Sequence, residues 1–159
     1  AYLSGRPDVD RTRIGGIGLS VGGELLLQAA ARTPLLRAVV SEGAGVRSIR
    51  DHVAVDGGPL RWISPLLAQT IATAVLSDRM PPPPLTDLIG RIAPRAVFLI
   101  WAGRGQGGEE QNADYYAAAG SPRLRWEIPE AGHTGGLDAR PAEYERRVVA
   151  FFDRHLLGR

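Results

Sequence analysis

Residues 18 to 22 read Gly18-Leu19-Ser20-Val21-Gly22, the pattern G-x-S-x-G. An apolar run precedes the serine, and apolar residues at helical spacing follow it, so the motif falls between a strand and a helix. A serine on such a turn presents its hydroxyl at the carboxyl edge of a sheet, where it can act as a nucleophile. We therefore expect Ser20 to be a nucleophile and the Val21 N–H to be an oxyanion donor.

Further strands and helices alternate along the rest of the chain. The strands are apolar along most of their length, which is typical of a parallel sheet covered on both faces. The sequence therefore predicts an α/β fold with three layers, α/β/α, and a mainly parallel sheet with flanking helices. The predicted strands cover residues 13–19, 36–41, 95–102 and 124–128, and the predicted helices cover 21–31, 112–119 and the segment from Pro141 onward.

One of the three histidines stands where a general base would be needed. His133 follows the last predicted strand and has glycines on both sides, a setting suited to a site rather than to core packing. A nucleophile that precedes the histidine in the chain fits the order Ser, acid, His. We expect a surface or lid role for His52 and a solvated position on the last helix for His155.

The acid of such an arrangement should lie between the third strand and His133. Glu109, Glu110 and Asp114 are the candidates in that interval. We prefer Glu110, with Glu109 as the alternative, because Asp114 falls inside a predicted helix. Both glutamates could instead simply favour the first turn of that helix. Asp138 comes after the histidine and so has the wrong chain order.

The motifs together resemble the α/β-hydrolase superfamily. Asp10-Arg11-Thr12-Arg13-Ile14, followed by the G-x-S-x-G run and Gly23, is similar to its D-x-x-R-I-x-x-x-G-x-S-x-G-G pattern, closest to the dienelactone hydrolase and prolyl oligopeptidase branches. Ala131-Gly132-His133 and the closing amphipathic helix resemble the histidine segment of those branches. The resemblance implies the C-terminal portion of the α/β-hydrolase fold and a serine hydrolase with Ser20, His133 and Glu110 as its triad.

The sequence departs from that pattern in two ways. Gln106 stands at the G-x-x-D position counted from Gly103, so the acid must be displaced along the chain. We also expect the early strands and the loop that donates the second oxyanion N–H to be missing from this sequence. We therefore interpret residues 1–159 as a single catalytic domain lacking its N-terminal strands, with a cap or lid insertion at residues 47–91.

Composition restricts the partners and cofactors. Nineteen basic and 17 acidic residues leave a net charge of +2, and no dense basic block indicates a nucleic-acid or membrane partner. The longest apolar stretch is too short to span a bilayer. Without cysteine the chain has no disulfide, thiolate metal site or cysteine nucleophile. We expect a cytoplasmic protein that uses neither a metal nor an organic cofactor and takes a small-molecule ester or acyl substrate.

Three other functions remain open beside ester hydrolysis. A peptidase or amide hydrolase would use the same residues. A dinucleotide-binding oxidoreductase would use Gly16, Gly18 and Gly22 around a pyrophosphate, with Glu42 at the end of the next strand on the ribose. A non-catalytic domain of the same fold is the last alternative.

Overall fold

The computed structural model of the chain describes residues 2–48, 63–77, 83–105 and 108–159. Four strands form one parallel sheet in the order β1-β2-β3-β4. The elements are β1 (Gly15–Leu19), α1 (Val21–Arg32), β2 (Ala38–Glu42), α2 (Ile63–Ser77), α3 (Leu85–Leu88), β3 (Ala96–Ala102), α4 (Asn112–Ala118), β4 (Arg123–Ile128), α5 (Gly136–Ala139) and α6 (Pro141–Phe152).

The strands lie where the apolar runs predict them, and no strand end is shifted by more than two residues. All residues of β2 and β3 are buried, as expected for central strands covered on both faces. The carboxyl ends of β1 and β2 are in register, because Leu19 is opposite Glu42, and β3 continues two residues beyond Ile100, the partner of Glu42. Glu42, one residue beyond the predicted strand 36–41, is the last residue of β2.

Two apolar clusters cover the two faces of the sheet and confirm the three-layer prediction. One face packs against α1, α3 and α4, and the other packs against α6. The first cluster includes Leu27, Val39, Leu85, Leu99 and Tyr115, and the second includes Val40, Phe98, Ile100, Tyr144 and Phe151.

The helix ends have ordinary chemical causes. Pro141 occupies the first turn of α6, where its missing N–H is not needed. Helix α1 ends at Arg32, shortly before Pro34, which cannot continue a helix. A short π-helix over Asp153–Leu157 continues α6, and the left-handed Gly158 ends it.

The predicted insertion at residues 47–91 is only partly among the described residues. Helix α2 leaves Leu67, Ile71 and Val75 about half exposed or more, so this face is not packed on the sheet. By contrast Leu85 and Ile89 are buried in the core beside α1, so the end of the predicted insertion belongs to the main body. The boundaries of a cap remain a prediction, and residues 49–62 and 78–82 of this segment lie outside the described residues.

Candidate active site

Ser20 lies on a sharp turn between β1 and α1, at the carboxyl edge of the sheet. Its backbone has φ 52° and ψ −127°, a left-handed conformation that is costly for a residue with a side chain. The turn is held because the Ser20 N–H donates to the Glu42 carbonyl at 2.8 Å. The Ser20 hydroxyl does not cap the helix that follows, so it remains available to other partners.

The close approach of neighbouring atoms at this turn explains why residues 18 and 23 are glycine, but it does not explain Gly22. A Cβ on Gly18 would meet the Gly22 carbonyl and would lie 2.8 Å from the Gly23 nitrogen. A Cβ on Gly23 would meet the Ser41 hydroxyl. A Cβ on Gly22 would meet nothing within 4 Å, so the last glycine of G-x-S-x-G is not sterically required here.

His133 joins the serine to a buried carboxylate. Its Nε2 lies 2.9 Å from the Ser20 Oγ, across 113 residues of sequence, and its Nδ1 contacts the Glu109 Oε1. The side chain of His133 is 40% exposed, whereas that of Glu109 is 1% exposed. The imidazole therefore bridges a solvent-accessible hydroxyl and a carboxylate enclosed by protein.

The carboxylate that touches His133 is Glu109, and the preference for Glu110 was wrong in this respect. Gly108 has φ 86°, which turns the chain back toward the sheet just before a 3₁₀ turn over Glu109–Gln111. Successive side chains of a 3₁₀ turn point about 120° apart. The first glutamate therefore points inward and the second, Glu110, is exposed.

The Glu109 carboxylate is fixed from several sides. Its Oε2 accepts the Ala102 N–H at 2.8 Å, at the end of β3. The buried Asn112 side chain donates to the Glu109 carbonyl at 2.8 Å and to the Ala44 carbonyl at 2.7 Å. A Cβ on Gly105 would lie 2.7 Å from the carboxyl carbon, so glycine there leaves room for the group.

The other acids and histidines considered from the sequence lie apart from this group. Asp114 is exposed and accepts from the Gln111 amide at 2.9 Å. Asp138 is exposed on α5. His155 packs on the Phe151 ring with centroids 4.9 Å apart and is half-buried rather than fully solvated, and burial lowers its pKa. His52 and Gln106 lie outside the described residues.

Val21 is the first residue of α1, and its N–H therefore has no acceptor within the helix. The helix N-terminus adds a positive end to the dipole beside the Ser20 hydroxyl. Negative charge that develops on an atom bonded to Ser20 would be stabilised at this point.

Glu42 does not serve the role that the dinucleotide alternative required. Its side chain is 2% exposed, and its two oxygens accept from the Gly136 N–H at 2.8 Å and the Tyr144 hydroxyl at 2.5 Å. A Cβ on Gly16 would lie 2.8 Å from the Leu26 side chain, so the glycine turn is filled by protein. A ribose cannot reach this carboxylate in the folded chain.

Among the described residues, no group of three His, Asp or Glu side chains is arranged to hold a metal ion. In the same residues no helix has both the length and the apolar character needed to cross a membrane.

Comparison with solved structures identifies the architecture. The α/β hydrolase GrgF from Penicillium superposes with a TM-score of 0.72 at 13% identity, over 98% of this chain and 68% of that one. The chain has the α/β-hydrolase fold. An esterase from Pyrococcus furiosus shares this fold with a TM-score of 0.69 at 18% identity, over 98% of this chain and 59% of the esterase.

A third α/β-hydrolase-fold structure is an acylaminoacyl peptidase from Pyrococcus horikoshii. It superposes with a TM-score of 0.70 at 18% identity, over 98% of this chain and 26% of the peptidase. No family model matches the sequence, and no curated protein matches it. The chain thus spans about two thirds of the length of GrgF and smaller shares of the esterase and the peptidase. Sequence identities this low support the fold alone.

Proposed function

We propose that this protein is a serine hydrolase that cleaves carboxylic esters through an acyl-enzyme. The observation that carries the proposal is the hydrogen-bonded series Ser20–His133–Glu109. Its serine stands on a left-handed turn, and its acid is enclosed. The arrangement follows the chain order nucleophile, acid, histidine that α/β hydrolases use.

In the proposed reaction the Ser20 Oγ attacks the ester carbonyl carbon while His133 Nε2 takes the hydroxyl proton. The carbonyl oxygen becomes an oxyanion that accepts from the Val21 N–H, a donor worth about 10²–10³ in rate. The carbon–oxygen bond to the leaving group breaks, and His133 returns its proton to that alcohol. Water then cleaves the acyl-serine by the same steps, with His133 as base.

Glu109 has a supporting role in this scheme. Its carboxylate accepts a hydrogen bond from the Nδ1–H of His133, which leaves the Nε2 lone pair facing Ser20. The same charge stabilises the imidazolium that forms during attack. Because Glu109 is buried, this interaction is less screened than an ion pair at the surface.

Covalent labelling with a fluorophosphonate probe tests the proposal. We would use the protein expressed from its complete gene, with Ser20→Ala and His133→Ala as variants. Labelling that vanishes in the first variant and drops sharply in the second is the expected result. A folded wild-type protein that does not label would overturn the proposal in favour of a non-catalytic domain.

A peptidase or amide hydrolase is the second candidate, because an acylaminoacyl peptidase shares the fold. Matched ester and anilide substrates with one acyl group distinguish the two. Ester turnover that depends on Ser20, with no measurable turnover of the anilide, supports an esterase, whereas Ser20-dependent turnover of the anilide supports an amide hydrolase.

A further inference from the structure

We propose that Glu42 is a positioning residue that holds His133 between Ser20 and Glu109. The inference rests on the proposed function, because it concerns the same histidine. Glu42 itself touches none of the three side chains of the series in a hydrogen bond; it acts through the segment that carries the histidine.

The main chain of Glu42 fixes the serine side of the site. Its carbonyl accepts the Ser20 N–H at 2.8 Å, one step beyond the register of β1 and β2. The strained turn at Ser20 is therefore tied to the last residue of a fully buried strand.

The side chain of Glu42 fixes the histidine side. One oxygen accepts from the Gly136 N–H, three residues after His133, and the other accepts from the Tyr144 hydroxyl on α6. A Cβ on Gly136 would lie 2.8 Å from that first oxygen and 3.1 Å from the Tyr144 ring. Glycine at 136 is thus what allows the backbone to approach the carboxylate.

The residue after Glu42 completes the contact with the segment that carries His133, residues 129–135 between β4 and α5, called here the histidine loop. Gly43 has φ 66°, and a Cβ there would lie 3.0 Å from the Thr134 methyl and 3.4 Å from the Glu109 carboxylate. Thr134, which follows His133 directly, is itself left-handed with φ 53°. Gly43, directly after β2, therefore lies against Glu109 and against Thr134, the residue that follows His133.

A buried carboxylate with two donors and no role in the proposed reaction needs a reason to be there. Removing it would leave the Tyr144 hydroxyl and the Gly136 N–H without their acceptor in a closed space. The histidine loop would lose one of its ties to the sheet, and misplacing a catalytic group by about 1 Å can cost about 10² in rate.

The test compares Glu42→Ala, Glu42→Gln and Tyr144→Phe in the protein expressed from its complete gene. A glutamine can accept from Gly136 through its oxygen and donate to Tyr144 through its amide, so it preserves the bridge. We expect fluorophosphonate labelling of Ser20 to slow about 10²-fold in Glu42→Ala, by less in Tyr144→Phe, and to stay close to wild type in Glu42→Gln.

A second readout separates positioning from loss of stability. The ¹⁵N shifts of the imidazole nitrogens report which nitrogen of His133 carries the proton. We expect Nδ1–H in the wild type and in Glu42→Gln, and a mixture of the two tautomers in Glu42→Ala. Val39→Ala opens a cavity in the same strand on the sheet face opposite Tyr144, and it should change neither the tautomer nor the labelling rate.

The outcomes are distinguishable from failure of the proposed function. A folded wild type that does not label contradicts the hydrolase, while the tautomer still reports whether Glu42 positions His133. A wild type that labels beside a Glu42→Ala variant with the same rate and the same tautomer overturns the positioning role. If Glu42→Ala does not fold, Tyr144→Phe decides, and an unchanged rate and tautomer there overturn the role.

Discussion

The Glu109 carboxylate accepts the backbone N–H of Ala102 at 2.8 Å, so the end of β3 aims this side chain at His133. Glu110, the next residue, is exposed and shares neither contact. The same substitution can therefore be compared at a buried glutamate, Glu109, and at an exposed one, Glu110.

Glu109→Gln should therefore lower the rate of ester hydrolysis or probe labelling by roughly 10²–10⁴-fold, because the amide no longer fixes the tautomer or offsets the imidazolium charge. Glu110→Gln should leave the rate unchanged. Steady-state kinetics on a chromogenic ester measure both. Equal losses in the two variants, or none in Glu109→Gln, would contradict the assignment of the acid.

The glycines of the serine motif predict unequal responses to alanine. Gly18→Ala places a Cβ against the Gly22 backbone, which cannot give way without moving the turn, so we expect lost stability and slower labelling. Gly22→Ala meets open space within a helix and should raise the free energy of unfolding by about 0.5–1 kcal/mol. Urea unfolding measures both variants, and a Gly18→Ala protein as stable as wild type would refute the steric account.

The sequence was sufficient for the sheet and for two of the three residues that meet in the site. The apolar run at 96–102 and the motif around Ser20 are local signals, and each predicts its element directly. His133 could be predicted because glycines flank it in a segment after the last strand. These positions depend on the period and order of elements rather than on distant contacts.

The remaining features depend on geometry that no local pattern encodes. Which glutamate points inward is decided by the left-handed Gly108 and by the direction of one short turn. Glu42 reaches Gly136 and Tyr144, which are 94 and 102 residues away. A glutamate near the end of a buried strand was the available signal for this contact, and from the sequence alone it had a role only in the dinucleotide-binding alternative.

The apolar face of α6 predicts a position-specific loss of stability. Phe151 is 3% exposed and packs on Phe98 with ring centroids 5.5 Å apart, whereas Val149 on the same helix is 50% exposed. Phe151→Ala should cost about 3–5 kcal/mol through lost burial and a cavity, and Val149→Ala should change stability by less than about 0.5 kcal/mol. Chemical denaturation checks the pair, and similar losses in both would show that the helix packs differently.

Tyr144 predicts how stability falls at high pH. Burial, and then its hydrogen bond to Glu42, raise the pKa of the Tyr144 hydroxyl above its ordinary value of 10. Above about pH 10 the unfolded chain releases this proton while the folded chain keeps it, so the free energy of unfolding falls by up to about 1.4 kcal/mol per pH unit from this group. Below that pH the contribution is fully present.

Tyr144→Phe removes the group and should therefore flatten the alkaline decline relative to wild type, even though it is less stable at neutral pH. The chain has no lysine, so lysine titration does not contribute to the decline. Tyr2→Phe is the matched control, because the Tyr2 side chain is exposed and lies outside the buried contacts of Tyr144. Urea unfolding from pH 9 to pH 11 measures the slopes, and parallel curves for wild type and Tyr144→Phe would mean that the hydroxyl is not held in its protonated form by Glu42 and burial.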